Sequence, residues 1–186
     1  TSISTEQLEE LQMNLLRSHA AGIGEPLPHD VVRGMMVILA GSLCRGHSGV
    51  RPVVVELLVG MLNANVTPVI PSRGSVGASG DLAPLAHLGL VLCGEGKATL
   101  GEKVMPGKAA IAASGLEPII PTAKEGLALI NGTHLMTSIA TLALADIALI
   151  CEAAVITTAL SIDAAKATDT FLDDRLHAVR TQSGQR

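Results

Sequence analysis

The sequence predicts an all-α fold, a single helical domain over residues 1–186 built as a bundle of long helices with at most one small β-hairpin. Three observations predict it. Apolar residues recur at helical intervals within segments set off by proline and glycine. Residues 135–162 form an apolar stretch that reads as part of one long helix. Phe171 is the sole aromatic residue, so the core must rest on Leu, Val, Ile, Ala and Met, and Ala-rich helices approach one another closely.

Ser4 and Gln7 have capping-box spacing, and Leu8, Leu11, Leu15 and Leu16 follow at helical intervals, which predicts a first helix ending near Gly22. Val32, Met35, Met36, Leu39 and Leu43 mark a second, closed by Gly46 and Gly49. Pro52 suits the first turn of a third, which carries Leu58, Met61 and Leu62; Pro68 and Pro71 forbid its continuation, leaving residues 67–80 as a loop. Asp81 stands where an N-cap belongs, and Pro84 falls in the first turn of a helix that runs through Leu92 and stops near Gly94. Gly101, between short apolar pairs, predicts a hairpin over residues 98–105, the only β structure expected. Pro106 and Gly115 bracket a short helix. Thr122 and Glu125 repeat the capping-box spacing before a helix that reaches Ile130, and the Asn131-Gly132 break separates it from the long helix over about residues 133–165. At ~1.5 Å per residue that helix is roughly 50 Å long. The tail after Phe171 is polar and exposed.

A net charge of −4 gives no basic footprint and argues against nucleic acid as a partner. Cys44, Cys93 and Cys151 lack the paired spacing of a disulfide framework or zinc site, so they read as reduced thiols of a cytoplasmic protein, packed as small buried hydrophobes. Asp146 and Glu152 cut residues 135–162 into uncharged runs shorter than a bilayer needs, which argues for a buried helix rather than a membrane span. A helix apolar on every side needs neighbours on every side, some of them from other subunits. The first residue is Thr1 rather than Met, and the chain reads as a piece of a longer one.

The chemistry concentrates in residues 74–87, Gly-Ser-Val-Gly-Ala-Ser-Gly-Asp-Leu-Ala-Pro-Leu-Ala-His, where an Ala-Ser-Gly tripeptide lies in a glycine-rich bend before a helix start. The amide nitrogen of Gly80 can attack the carbonyl carbon of Ala78, and loss of water closes a five-membered ring. Dehydration of Ser79 then gives that ring an exocyclic methylidene, an electrophile made from backbone. Gly80 offers an unhindered nitrogen, Ala78 is small, and Gly77 permits the sharp bend. A phosphate cradle is excluded because no Gly-Lys-Ser/Thr follows, and a hydrolase nucleophile elbow because Asp81 stands where its last glycine belongs.

In these residues the chain resembles the histidine and aromatic amino acid ammonia-lyases, which build 4-methylideneimidazol-5-one (MIO) from Ala-Ser-Gly. The resemblance extends to Arg17-Ser18-His19-Ala20-Ala21-Gly22, Leu43-Cys44-Arg45-Gly46-His47-Ser48-Gly49, Glu95-Gly96-Lys97, Lys124-Glu125-Gly126-Leu127-Ala128-Leu129-Ile130-Asn131-Gly132-Thr133 and Gly184-Gln185, in family order. It implies the helical bundle of the aspartase and fumarase-like superfamily, a homotetramer with shared active sites, and MIO formed from Ala78, Ser79 and Gly80 with no metal. It implies further that Asn131 contacts the MIO carbonyl and keeps the ring electron-poor. Asp81 would assist ring closure by accepting a proton as well as capping its helix.

The family's β-proton acceptor is a tyrosine, and this chain has none, so the resemblance places that residue upstream of Thr1 and further active-site residues downstream of Arg186, and the fragment alone is expected to lack a complete site and to be inactive. Ser18-His19 matches the pair found in histidine lyases, where tyrosine lyases carry His-Leu and phenylalanine lyases Phe-Leu or similar. An imidazole at His19 would then hydrogen-bond the ring of substrate histidine. The expected reaction is elimination of ammonia from L-histidine to give trans-urocanate. Phenylalanine or tyrosine lyase, aminomutase, and a catalytically silent helical core remain as alternatives. His134 stands where many members carry glutamine and is given no role beyond neighbourhood to the site. His47, His87, Glu9-Glu10 and Asp173-Asp174 read as capping, packing or solvated groups, and Arg45 and Arg51 as ion-pair partners.

Overall fold

The computed structural model describes residues 7–77, 80–180, 182 and 184. By contacts the chain divides into two compact units, Thr1–Leu142 and Ala143–Arg186.

In the first unit, α1 (Leu8–His19) precedes the short strand β1 (Ile23–Pro26), and α2 (His29–Leu43) and α3 (Pro52–Asn63) follow as predicted. Ser4 of the expected capping box lies outside the described residues, and α1 ends at His19 because the chain turns there into β1. Strands β2 (Val66–Pro68) and β3 (Pro71–Arg73) come next, then α4 (Leu82–Leu92), β4 (Lys97–Leu100), β5 (Lys103–Pro106), α5 (Gly107–Ala113) and α6 (Glu125–Ile130). Leu16, Met35, Leu39, Leu58, Leu85, Leu88 and Leu129 are fully or almost fully buried, so one aliphatic core joins α1, α2, α3, α4 and α6.

The hairpin at residues 98–105 is present as β4 and β5, but it is not the only β structure. β2 pairs antiparallel with β4, with Thr67 opposite Thr99, and β1 pairs with β3, with Ile23 opposite Arg73 and Pro26 opposite Pro71. The prolines that end α3 do not leave a structureless loop. They leave extended backbone, which pairs where proline is tolerated, at strand ends and sheet edges. α6 begins at Glu125 rather than at Thr122, although the Glu125 carboxylate does reach back to accept the Thr122 N–H at 2.8 Å.

α7 (His134–Ala164) is a single helix of 31 residues that begins in the first unit and continues into the second. Its first turns are held by His134, Leu135 and Ser138, which are buried; the hydroxyl of Ser138 donates to Val31 O at 2.7 Å. Beyond them the helix, expected to need neighbours from other subunits, is uncovered in this chain: Leu144, Leu149, Ile150, Val155 and Leu160 are each more than 60% exposed. This helix is long and apolar enough to cross a membrane, a property it shares with the core helices of soluble proteins. Its hydroxyls turn inward on its own backbone: Thr137, Thr141, Thr157, Thr158 and Ser161 each donate to the carbonyl four residues earlier.

In the second unit a 3₁₀ turn (Thr170–Leu172) and α8 (Asp174–Ala178) follow, the latter capped by the Asp173 carboxylate, which accepts the Arg175 N–H at 2.9 Å. Cys44 and Cys151 are exposed and Cys93 is half-buried, so only Cys93 approaches the expected packed thiol; all three are free. Burial, with the nearby Glu95 and Glu125 carboxylates adding to it, pushes the Cys93 thiol up to about 12 and keeps it protonated.

Candidate functional site

The loop between β3 and α4 doubles back on itself. Val76 N–H donates to Gly80 O at 2.8 Å, and Gly77 and Gly80 hold φ of +82° and +75°, the left-handed region that glycine enters without strain. Ala78 and Ser79, between them, lie outside the described residues. Space at Gly80 is closed as well. A Cβ there would stand 2.8 Å from Met136 Cε and 3.6 Å from Thr133 Cγ2, so this end of the tripeptide rests on the start of α7.

Asp81 occupies the N-cap position of α4, yet its side chain does not cap that helix. Pro84 is the third residue of α4 and has no N–H to offer, which removes one of the two donors an N-cap carboxylate serves. The fully buried carboxylate accepts instead from the Ser75 hydroxyl at 2.8 Å and from Met136 N–H at 3.0 Å, an otherwise unpaired donor in the first turn of α7. Asp81 N–H donates in turn to Gly132 O at 3.3 Å. One residue thereby joins the tripeptide loop, α4 and the Asn-Gly break.

Asn131 ends α6 in an extended conformation, φ −97° and ψ 101°, and is exposed. Beside it, a Cβ on Gly132 would fall 2.2 Å from His134 Cε1 and 2.4 Å from Nδ1, so the imidazole lies directly over this glycine. His134 is 9% exposed and its Nδ1 is buried without a hydrogen-bond partner. Burial pushes its pKa below the usual histidine value, with the Asp81 charge opposing. His134, given no role in the sequence beyond neighbourhood to the site, lies within this cluster, whereas sequence reasoning missed Ser75 and Met136 as members of it. Met136 contributes a backbone group and Ser75 a single hydroxyl, neither of which leaves a pattern in the sequence.

At the end of α1 the Ser18 hydroxyl donates to Leu15 O at 2.9 Å, while His19 Nδ1 lies 2.9 Å from the same carbonyl and 3.1 Å from Ser18 Oγ. A carbonyl oxygen only accepts, so Nδ1 carries a hydrogen, and it is Nε2 that is left free of this contact. The turn that follows is tied to α4 by Gly22 N–H, which donates to His87 Nε2 at 3.2 Å. Burial lowers the pKa of His87, in keeping with an unprotonated Nε2. A Cβ on Gly74 would meet Gly22 Cα at 3.3 Å. The structure therefore brings the chain after His19 to the near end of the loop and the chain after Asn131 to its far end.

α6 itself is held at its N-terminus. Glu125, 1% exposed, accepts from Arg51 N at 2.9 Å, Arg51 Nε at 3.0 Å and Arg51 Nη2 at 2.9 Å as well as from Thr122 N. Burial alone would raise the pKa of this carboxyl; the Arg51 guanidinium and the two backbone N–H groups outweigh it and hold the value at about 2. Gln12 Oε1, from α1, accepts the next donor, Gly126 N, at 2.9 Å. Arg51 is thus the ion-pair partner it was expected to be, whereas Arg45 makes no ion pair among the described residues.

A family model described as aromatic amino acid lyase matches residues 1–186. The histidine ammonia-lyase of Alkaliphilus metalliredigens is 48% identical over 184 residues, which is 99% of this chain and 36% of the relative. That of Koribacter versatilis is 52% identical over 94% of this chain and 34% of its own length. Among solved structures, histidine ammonia-lyase from Trypanosoma cruzi matches with a TM-score of 0.91 at 41% identity, over 99% of this chain and 36% of that one. Pantoea agglomerans phenylalanine aminomutase matches with a TM-score of 0.89 at 31% identity, over 98% and 35%. The chain spans about a third of the length of these relatives, and it shares the helical aspartase and fumarase-like fold of the solved ones. Matched from its first residue to its last, the chain belongs to the aromatic amino acid lyase family.

Proposed function

We propose that the protein carrying this chain is a histidine ammonia-lyase, which eliminates ammonia from L-histidine to give trans-urocanate, on a MIO group condensed from Ala78, Ser79 and Gly80. The observation that carries this reading is Asp81, whose buried carboxylate and amide tie the tripeptide loop to the segment that follows Asn131. The flanks described fit such a group: the loop closes from Val76 N to Gly80 O, Gly80 has the backbone conformation and the confinement that discourage any other residue, and a carboxylate stands beside it.

When formed, the group supplies an electrophile and electron sink that turn the substrate amino group into a leaving group. The chain's own residues do the rest of what falls to them. Asn131 would donate its amide to the carbonyl of that group and stabilise charge developing there. His19, with Nδ1–H committed to Leu15 O, offers Nε2 to an N–H of the substrate imidazole. Asp81 accepts the proton released on ring closure. A tyrosine, the β-proton acceptor that the family resemblance implies, is not among the residues of this chain.

Two features support the wider assignment. The exposed apolar length of α7 suits a homotetramer in which other subunits cover it. Free thiols at Cys44, Cys93 and Cys151 suit the cytoplasm.

Mass spectrometry of the peptide containing Ser79, together with urocanate release, tests the proposal. A peptide lighter by two water molecules and loss of turnover in Ser79→Ala are the expected results. An unmodified peptide in an active protein refutes it. Turnover of phenylalanine or tyrosine ahead of histidine would move the assignment to another member of the family, in line with the similarity to the aminomutase.

A further inference from the structure

We infer that Gln12, Arg51 and Glu125 are positioning residues that fix Asn131 relative to Ser18 and His19, acting through the short helix α6. The inference rests on the function proposed above. α1 and α6 meet at one polar junction: Gln12 Oε1 accepts Gly126 N–H at 2.9 Å, and a Cβ on Gly126 would lie 3.0 Å from Gln12 O and 3.3 Å from Gln12 Cα, so the two backbones touch. Arg51 locks the residue beside it, with three hydrogen bonds to the Glu125 carboxylate and a fourth from Nη2 to Ile120 O at 2.7 Å. Two independent segments therefore hold consecutive residues at the start of α6.

The helix is too short to absorb a displacement. It has six residues, fewer than two turns, and Asn131 follows directly. From the junction, Asn131 is five residues away along α6 and Ser18 six residues away along α1, roughly 7.5 and 9 Å at the helical rise. Both groups are thus carried on stiff arms from one origin, and a shift at the junction reaches Asn131 nearly undiminished. Catalysis is sensitive to such shifts, since a misplacement of about 1 Å can cost on the order of a hundredfold. Neither Gln12, Arg51 nor Glu125 has a hydrogen bond to residues 74–77 or 80–81, so ring formation does not depend on them directly.

The test is a double-mutant cycle in the full-length protein, read as kcat and KM for L-histidine. Gln12→Met keeps the length of the side chain and removes the acceptor. It is expected to leave the Ser79 peptide two waters light, to change KM less than about threefold and to lower kcat about tenfold or more. In an Asn131→Ala background, itself slower by on the order of a hundredfold, the same substitution should change kcat less than about twofold, because the group being positioned is gone. Equal losses in both backgrounds, or an unchanged kcat in the first, overturn the inference. If Gln12→Met does not fold, Arg51→Lys, which leaves Glu125 a cation, is put through the same cycle with the same two outcomes. A wild-type protein that does not turn over L-histidine would refute the functional proposal instead, which keeps the two failures apart.

Discussion

The Asp81 carboxylate accepts the backbone N–H of Met136 at 3.0 Å, so the residue placed to cap α4 caps α7 instead. The side chain that follows the Ala-Ser-Gly tripeptide aligns the helix against which Gly80 rests. Loop geometry and helix start are therefore one structural unit.

Removing that carboxylate should cost both stability and ring formation. Asp81→Ala leaves the Met136 N–H and the Ser75 hydroxyl without their acceptor at a fully buried position, for a loss of about 2–3 kcal/mol. Asp81→Asn keeps the shape and one acceptor and should lose about half as much. Denaturant unfolding measures the cost, and the mass of the Ser79 peptide shows whether the ring still closes.

Glu125 gives the fold an acid limit. Its folded pKa of about 2 lies below its ordinary 4.5, so the stabilisation is full above pH 4.5 and is lost as pH falls toward 2. The depression corresponds to on the order of 3 kcal/mol. Unfolding free energies of wild type and Glu125→Gln, followed from pH 6 to pH 2, should converge as the medium becomes acid. Parallel curves would show that the carboxylate charge does not matter.

Gly132 is predicted to be a steric requirement of His134 rather than a conformational one. Gly132→Ala places a methyl within 2.4 Å of the imidazole and should destabilise by about 1–3 kcal/mol. Gly132→Ala combined with His134→Ala should recover most of that loss. Failure of the second change to rescue the first would mean that the backbone, not the ring, needs glycine here.

His19→Leu should lower kcat/KM for L-histidine by roughly a hundredfold or more, since the substrate N–H would face no acceptor. Turnover of L-phenylalanine should fall much less or rise. Ser18→Ala removes only the second contact to the His19 Nδ1–H, and a loss of a fewfold is expected. Steady-state assays with the two amino acids separate these outcomes.

The helices were legible because their apolar periodicity and their Pro and Gly punctuation are local. Asn131-Gly132 announced the break between α6 and α7, and Asp81 announced a helix start. What the Asp81 side chain binds was not legible, although half of the reason was present: Pro84 has no hydrogen to donate. The donor that replaces it, Met136 N–H, is 55 residues away and belongs to a backbone that any side chain would provide. The pairing of β1 with β3 escaped for a similar reason, because Pro26, Pro68 and Pro71 read as breakers and the extended chain they impose finds its partner only in the folded state. The junction of Gln12 with Gly126 joins positions 114 apart, and a buried glutamine has no signature in an apolar helical pattern.

The hydroxyls of α7, folded onto carbonyls of their own helix, make its distal length self-sufficient in a dry surrounding. Asp146, Glu152 and Asp163 are the exceptions, three anions on an otherwise water-indifferent rod. Any protein surface that encloses this rod must bring cationic or hydrogen-bond-donating groups, or water, to those three heights, so the spacing of the carboxyls along the helix constrains the lining of whatever wraps it.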